Sequence, residues 1–117
     1  MTARIRHVET LAFYDTILIF EGATDAGSPV IAVLTAHERD GWDVYCAAIL
    51  DAATMAELKA NRLPLRDALT TRRHGSLLYG TIDRDPAFFR CGPDLPEEDL
   101  PVPGIPLNPP AGDEDEN

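Results

Sequence analysis

The side chains able to act as acids, bases, nucleophiles or metal ligands are few and scattered. His7, His37 and His74 fall near a strand start, in a turn and in a basic link. No two have the i, i+4 spacing with which a helix holds a metal between two imidazoles. Asp83-x-Asp85 presents two carboxylates to a hard cation, but Arg84 and Pro86 intrude where further oxygen ligands would be required, so turn chemistry accounts for it better. Cys46 sits in a strand-like run and reads as a small core residue, because a reactive thiol needs partial exposure and a cationic setting. If it were a nucleophile, His74 would be the neighbour to activate it. Gly22-x-x-x-x-Gly27-Ser28 lacks the lysine and following helix of a phosphate loop, and no serine occupies a nucleophile elbow. Asp15 and Glu21 adjoin aromatic residues in Tyr14-Asp15 and Phe20-Glu21-Gly22, a pattern that fits a turn and an exposed strand face, or alternatively the wall of a pocket. An enzyme reading would rest on Asp15, Glu21, Cys46 and His74. None of them forms a recognisable catalytic set, so no catalytic residue, metal ligand, cofactor or cofactor-binding residue is assigned.

The sharper signal is electrostatic. The 117 residues carry twenty acids and ten bases, for a net charge of -10. That balance argues against a chain whose main task is to neutralise a phosphate backbone or coat an anionic membrane. Residues 1–90 hold twelve acids and ten bases, whereas residues 91–117 hold eight acids and no base. Within the first part, Lys59, Arg62, Arg66, Arg72, Arg73, Arg84 and Arg90 outnumber Asp67, Asp83 and Asp85 just before the acidic tail. The arginines are either ordinary surface residues, a face over which the tail folds, or a nucleic-acid contact regulated by the tail. Alternatively the tail reaches a basic patch on another protein. Trp42 and Tyr45 are expected beside Arg62, Arg66, Arg72 and Arg73 in a partner-contact set completed by Glu97, Glu98, Asp99, Asp113, Glu114, Asp115 and Glu116.

The elements that would carry these residues follow from pattern. Strand-like runs occur near residues 5–13, 11–21, 30–35, 42–50 and 77–82, with Ile17, Ile19 and Glu21 alternating against Leu18 and Phe20. Val30 to Thr35 is a nearly unbroken apolar run, the mark of a strand buried on both faces. Tyr14-Asp15-Thr16 forms a kink or tight turn, and Asp40-Gly41 supplies the positive φ of a hairpin. Asp51 caps a helix ending near Asn61, with Met55 and Leu58 on one face; Pro64 opens a shorter helical turn over Leu65, Ala68 and Leu69. Seven of the ten prolines lie after residue 90, so neither a helix nor an interior strand runs through the tail. Its middle, Leu100 to Leu107, alternates apolar residues with prolines and is expected to lie in a groove, with the last five residues mobile. The expectation is one α+β domain over residues 1–90: an antiparallel meander of four or five strands, with one helix and a short helical turn on one face. Residues 91–117 form an extended acidic tail.

Tyr14-Asp15, Ile17-Leu18-Ile19-Phe20-Glu21-Gly22, Asp25-x-Gly27, Ile31-Ala32-Val33-Leu34 and Leu63-Pro64-Leu65-Arg66-Asp67-Ala68-Leu69 together resemble a family of small acidic bacterial domains of unknown function. The likeness spans roughly residues 8–82 and implies a fold without assigning a catalytic residue. Two cysteines exclude a disulfide framework, and no run approaches the ~18 apolar residues of a membrane span, so a cytoplasmic protein without membrane contact is expected. The leading functional expectation is a small non-catalytic protein-binding module. It would act as an inhibitor, immunity factor or accessory subunit of a larger bacterial or phage assembly, its acidic tail occupying a cationic groove on a partner protein with a basic surface. A nucleic-acid binder using the arginines between residues 62 and 90 is the runner-up, followed by an enzyme.

Overall fold

The computed structural model describes residues 2–75, 77–91, 100–101 and 104–107. Its elements in chain order are β1 (Thr2–Tyr14), β2 (Thr16–Ala23), β3 (Pro29–Arg39), β4 (Trp42–Ile49), α1 (Ala52–Lys59), α2 (Leu65–Leu69), β5 (Leu78–Gly80) and β6 (Ala87–Cys91). Each strand pairs antiparallel with the next, and β6 returns to pair with β1 from Thr2↔Arg90 to Ile5↔Ala87. The result is a closed six-stranded barrel and not the expected open meander of four or five strands. The correction turns on β6. Ala87-Phe88-Phe89-Arg90-Cys91 is only five residues long and lies between turn residues and a proline-rich stretch. It nevertheless pairs with β5 and with the first residues of β1 at once, which closes the sheet into a barrel. Closure also makes the class strand-dominated, with two short helices added outside.

The strand patterns explain what fills the barrel. Val30, Ala32, Tyr45, Ala47, Leu78, Ala87 and Phe89 point inward with Ile5 and Phe20. Three alanines among bulky rings suit the narrow lumen of a six-stranded barrel, where large side chains must face small ones. Tyr45, fully buried, donates its hydroxyl hydrogen to the carbonyl of Ile17, and its ring meets Phe20 edge-on at 5.5 Å. Burial, the leading influence, pushes the Tyr45 phenol up from its ordinary value, with the Thr16 hydrogen bond opposing and Asp43 adding to the rise.

Residues of opposite parity on β3 and β4 face outward under the helices. Ile31, Cys46 and Ala48 meet Met55, Leu58, Leu65, Ala68 and Leu69 in a second buried cluster. The apolar run of β3 is therefore buried on both faces, as its composition implies. Alternation across β2 is broken, however. Between Ala12↔Ile19 and Phe13↔Ile17 the register shifts by one residue, a bulge at Leu18. Ile17 consequently joins Phe20 against the lumen cluster while Ile19 packs under the helices, where simple alternation would place Ile17 and Ile19 together.

Helix α1 starts at Asp51, whose Oδ1 accepts the Thr54 N–H at 2.7 Å. Asn61, in the left-handed region at φ 62, follows its C-terminus. Helix α2 follows Pro64 and presents Leu65, Ala68 and Leu69 to the core. Parts of the C-terminal segment lie against it: the Leu65 N–H donates to Ile105 O at 2.9 Å, Arg66 Nη1 donates to Pro101 O at 3.0 Å, and Leu107 is buried in the outer cluster. The contacts of the described residues Pro101, Ile105 and Leu107 in this apolar, proline-alternating stretch fall on α2 and the outer cluster.

The Asp51 cap makes a pH prediction. Hydrogen bonds from the Thr54 side chain and backbone, aided by the charges of His74 and Arg72, hold the Asp51 carboxyl below its usual range. A depressed carboxyl pKa contributes stability above the unfolded value of about 4, and the contribution disappears as pH falls through the folded value. Asp51→Asn keeps an oxygen acceptor for the cap without the titration. Chemical unfolding midpoints followed from pH 6 to pH 3 should fall more steeply for the native chain than for Asp51→Asn; parallel curves would exclude the cap as a source of acid sensitivity.

Candidate functional site

The loop of residues 81–86, between β5 and β6, separates two surface depressions that share Asp83 and Arg84. The first is a groove of about 480 Å³ between this loop, the outer face of β6 and the tip of the β3–β4 hairpin. Asp40 and Gly41 form that tip with φ 54 and 83, the primed geometry of a two-residue turn, and the pair Arg39↔Trp42 faces across it. On β6 the side chains alternate: Phe89 is fully buried while Phe88 and Arg90 point out. Trp42 and Phe88 are 49% and 50% exposed, large apolar surfaces left in water in the lining of one groove. Arg84 lies over the Phe88 ring, its guanidinium carbon 5.8 Å from the centroid, and reaches Asp83 Oδ2 at 3.5 Å. Three arginines, two aspartates and two exposed rings line the groove.

The expected partner-contact set is divided by this geometry. Trp42 is in the groove. Tyr45 is not at a surface: three residues along β4 and facing inward, it is 1% exposed, and the correction follows from strand alternation combined with barrel closure. Arg66, Arg72 and Arg73 serve their own chain. Arg72 pairs with Glu57 at 2.8 Å, Arg73 donates to the Leu69 and Thr70 carbonyls at the end of α2, and Arg66 holds Pro101. Arg62 is exposed just after α1, away from the groove lining. Glu97, Glu98, Asp99, Asp113, Glu114, Asp115 and Glu116 lie outside the described residues. Arg39 and Phe88 are the groove residues that sequence reasoning missed; the signal for Phe88 was its i, i+2 spacing to Arg90 on a strand.

The catalytic candidates do not converge. Asp15 forms the β1–β2 turn at φ 63. Glu21 pairs with Lys59 of α1, which also lies 3.8 Å from Glu9. Cys46 is fully buried in the outer cluster, whereas His74 is an exposed residue whose Nε2 lies 3.6 Å from Asp51 Oδ2. Among the described residues no three His, Cys, Asp or Glu side chains group as metal ligands, and no helix is long and apolar enough to cross a membrane. No protein-family model matches the chain, and neither the curated proteins nor the solved structures provide a match.

Proposed function

We propose that the protein is a small non-catalytic binding module, an inhibitor, immunity factor or accessory subunit, that grips a partner protein through the groove lined by Trp42 and Phe88. The observation that carries this reading is that two half-exposed aromatic rings line one groove together with Arg39, Arg84 and Arg90. Trp and Arg dominate binding energy at protein interfaces, where a large flat ring excludes water around a charge-assisted hydrogen bond. The groove has a small positive excess, fitting an acidic segment of the partner, and the acidic residues 94–99 and 113–116 would add a second contact against a basic surface elsewhere on it. Only two cysteines in 117 residues, too few for a disulfide framework, support a reducing, cytoplasmic setting.

Aromatics set among arginines also favour single-stranded nucleic acid. Asp40 and Asp83 in the same lining and the net charge of -10 weigh against a polyphosphate. Affinity capture from the native host with the full chain, compared with Trp42→Ala/Phe88→Ala, separates the two. A protein captured by the native chain should be lost with a drop in affinity of about tenfold or more, and a labelled oligo(dT) should not bind at moderate salt. Equal capture by both chains would remove the groove from the mechanism, and oligonucleotide binding abolished by the double substitution would establish the nucleic-acid reading instead.

A further inference from the structure

The second depression, about 460 Å³, opens at one end of the barrel, and its origin is the unequal length of the strands. The β1–β6 ladder stops at Ile5↔Ala87, whereas β1 continues. Beyond that point the neighbour of β1 on this side is the loop 82–86, where the His7 N–H donates to Asp85 Oδ1 at 3.0 Å. The half-buried His7, Ile17 and Ile82 are left at a mouth. Its floor is Ile5, Phe20 and Ala87, all but fully buried, and Ile17 and Ile82 form apolar sides.

One wall is flat. The His7 imidazole stacks on Phe20 with centroids 5.5 Å apart and 30° between planes, and its Nε2 is fixed 2.9 Å from Thr10 Oγ1. The rim is charged: Asp83 and Arg84 balance each other, and Arg84 leans towards Phe88 in the neighbouring groove. Asp85 has no ion-pair partner among the described residues and uses one carboxylate oxygen for the His7 backbone. An apolar floor, a flat aromatic wall and a few polar groups at the rim, within a volume of a few hundred Å³, make the usual form of a small-molecule site, and barrel mouths are a common place for one.

From this we infer that the barrel mouth binds a small planar aromatic cation, such as an aryl amidine, whose ring lies against the half-buried His7 imidazole, backed by Phe20, while its charged nitrogen meets Asp85. The planarity comes from the stacked wall and the sign of charge from the one uncompensated carboxylate. This site differs from the partner groove in its aromatic lining, since neither Trp42 nor Phe88 lines it, although the two share Asp83 and Arg84.

The test uses a matched pair of probes, 2-naphthamidine and 2-naphthoate, which share a ring system and differ in charge. Titrated into isoleucine-methyl-labelled full chain, the amidine should shift the Ile5, Ile17 and Ile82 signals and leave those of Ile31 and Ile105 in place. Its Kd should be about 1 mM or lower. The carboxylate should bind about three- to fivefold more weakly, as one half-exposed charge interaction allows. Asp85→Asn keeps an oxygen for the His7 N–H and should erase that preference. Ile82→Trp, which fills the mouth from its half-buried rim, should abolish binding of both probes while the Ile31 and Ile105 signals stay at their native positions. Absence of binding, shifts centred elsewhere, or equal or tighter binding of 2-naphthoate to the native chain would each overturn the assignment, as would a preference that survives Asp85→Asn.

Discussion

Replacing Gly80 with alanine is expected to destabilise the protein by about 2–3 kcal/mol, although the change adds a single methyl group. A Cβ at this position would stand 2.7 Å from the carbonyl oxygen of Phe88 and 2.7 Å from two carbons of the Phe89 ring. Neither neighbour can retreat. The carbonyl belongs to the ladder that closes the barrel, Gly80↔Phe89 being one of the three β5–β6 pairs. The ring is fully buried, packed in the lumen cluster with Phe20 and Tyr45. Relief therefore requires the short β5 to move away from β6, at the seam on which closure depends. A domain of this size has about 5–15 kcal/mol in total, so the loss is a large part of it. Gly27→Ala is the control: it has open space but φ 89, so only backbone strain of about 1 kcal/mol should appear. Guanidinium unfolding of both variants measures the difference, and a Gly80→Ala midpoint within about 0.5 kcal/mol of the native chain would mean that β5 and β6 do not approach as described.

Local features were legible because their causes are local. Asp40-Gly41, the Asp51 cap, the Asn61 terminus and the Met55/Leu58 stripe each depend on a few adjacent residues, and each stands where composition placed it. The two-faced burial of β3 was equally visible, since an apolar run needs partners on both sides. Closure was not, because it depends on pairing between residues near opposite ends of the described body, Thr2 with Arg90. Nothing in Ala87-Phe88-Phe89-Arg90 specifies β1 as a partner until the sheet has curled enough to bring them together. The bulge at Leu18 was hidden for the same reason: a register shift belongs to a pair of strands, and one strand's alternation does not encode it.

The same division separates the site residues that could be read from those that could not. Trp42 beside a hairpin turn could be read equally as a partly exposed anchor or as a cap on the core, a choice its 49% exposure decides, and the excess of arginine before the tail was visible as charge. Which arginines remain available was not. Arg72 and Arg73 look like a basic pair in sequence, yet both end on the acceptors of neighbouring helices and turns. Arg39, isolated among acids in sequence, stands in the groove with Arg84 and Arg90. The aromatic interleaving that nucleic-acid or protein recognition would use arises between β4 and β6, more than forty residues apart, so a search along the chain could not find it.

Phe20→Ala should have the largest effect of any single truncation in the barrel, about 3–5 kcal/mol. Phe20 is 1% exposed, contacts Tyr45 edge-on and carries the His7 ring on its face. Its removal deletes the transfer free energy of a benzyl group and the aromatic pair with Tyr45, which alone contributes about 0.5–1.5 kcal/mol. It also leaves a void in a lumen already packed with small residues, and strands tied on both sides cannot collapse to fill it. The void would open into the barrel mouth, because Phe20 is part of the floor there. Benzene in solution should therefore raise the melting temperature of Phe20→Ala well above its effect on the native chain, since a ligand that binds only the folded state stabilises it by mass action. A loss below about 1 kcal/mol would show that the ring does not sit in the lumen. A full loss with no response to benzene would show that the strands close over the space, so that the mouth and the lumen are not continuous.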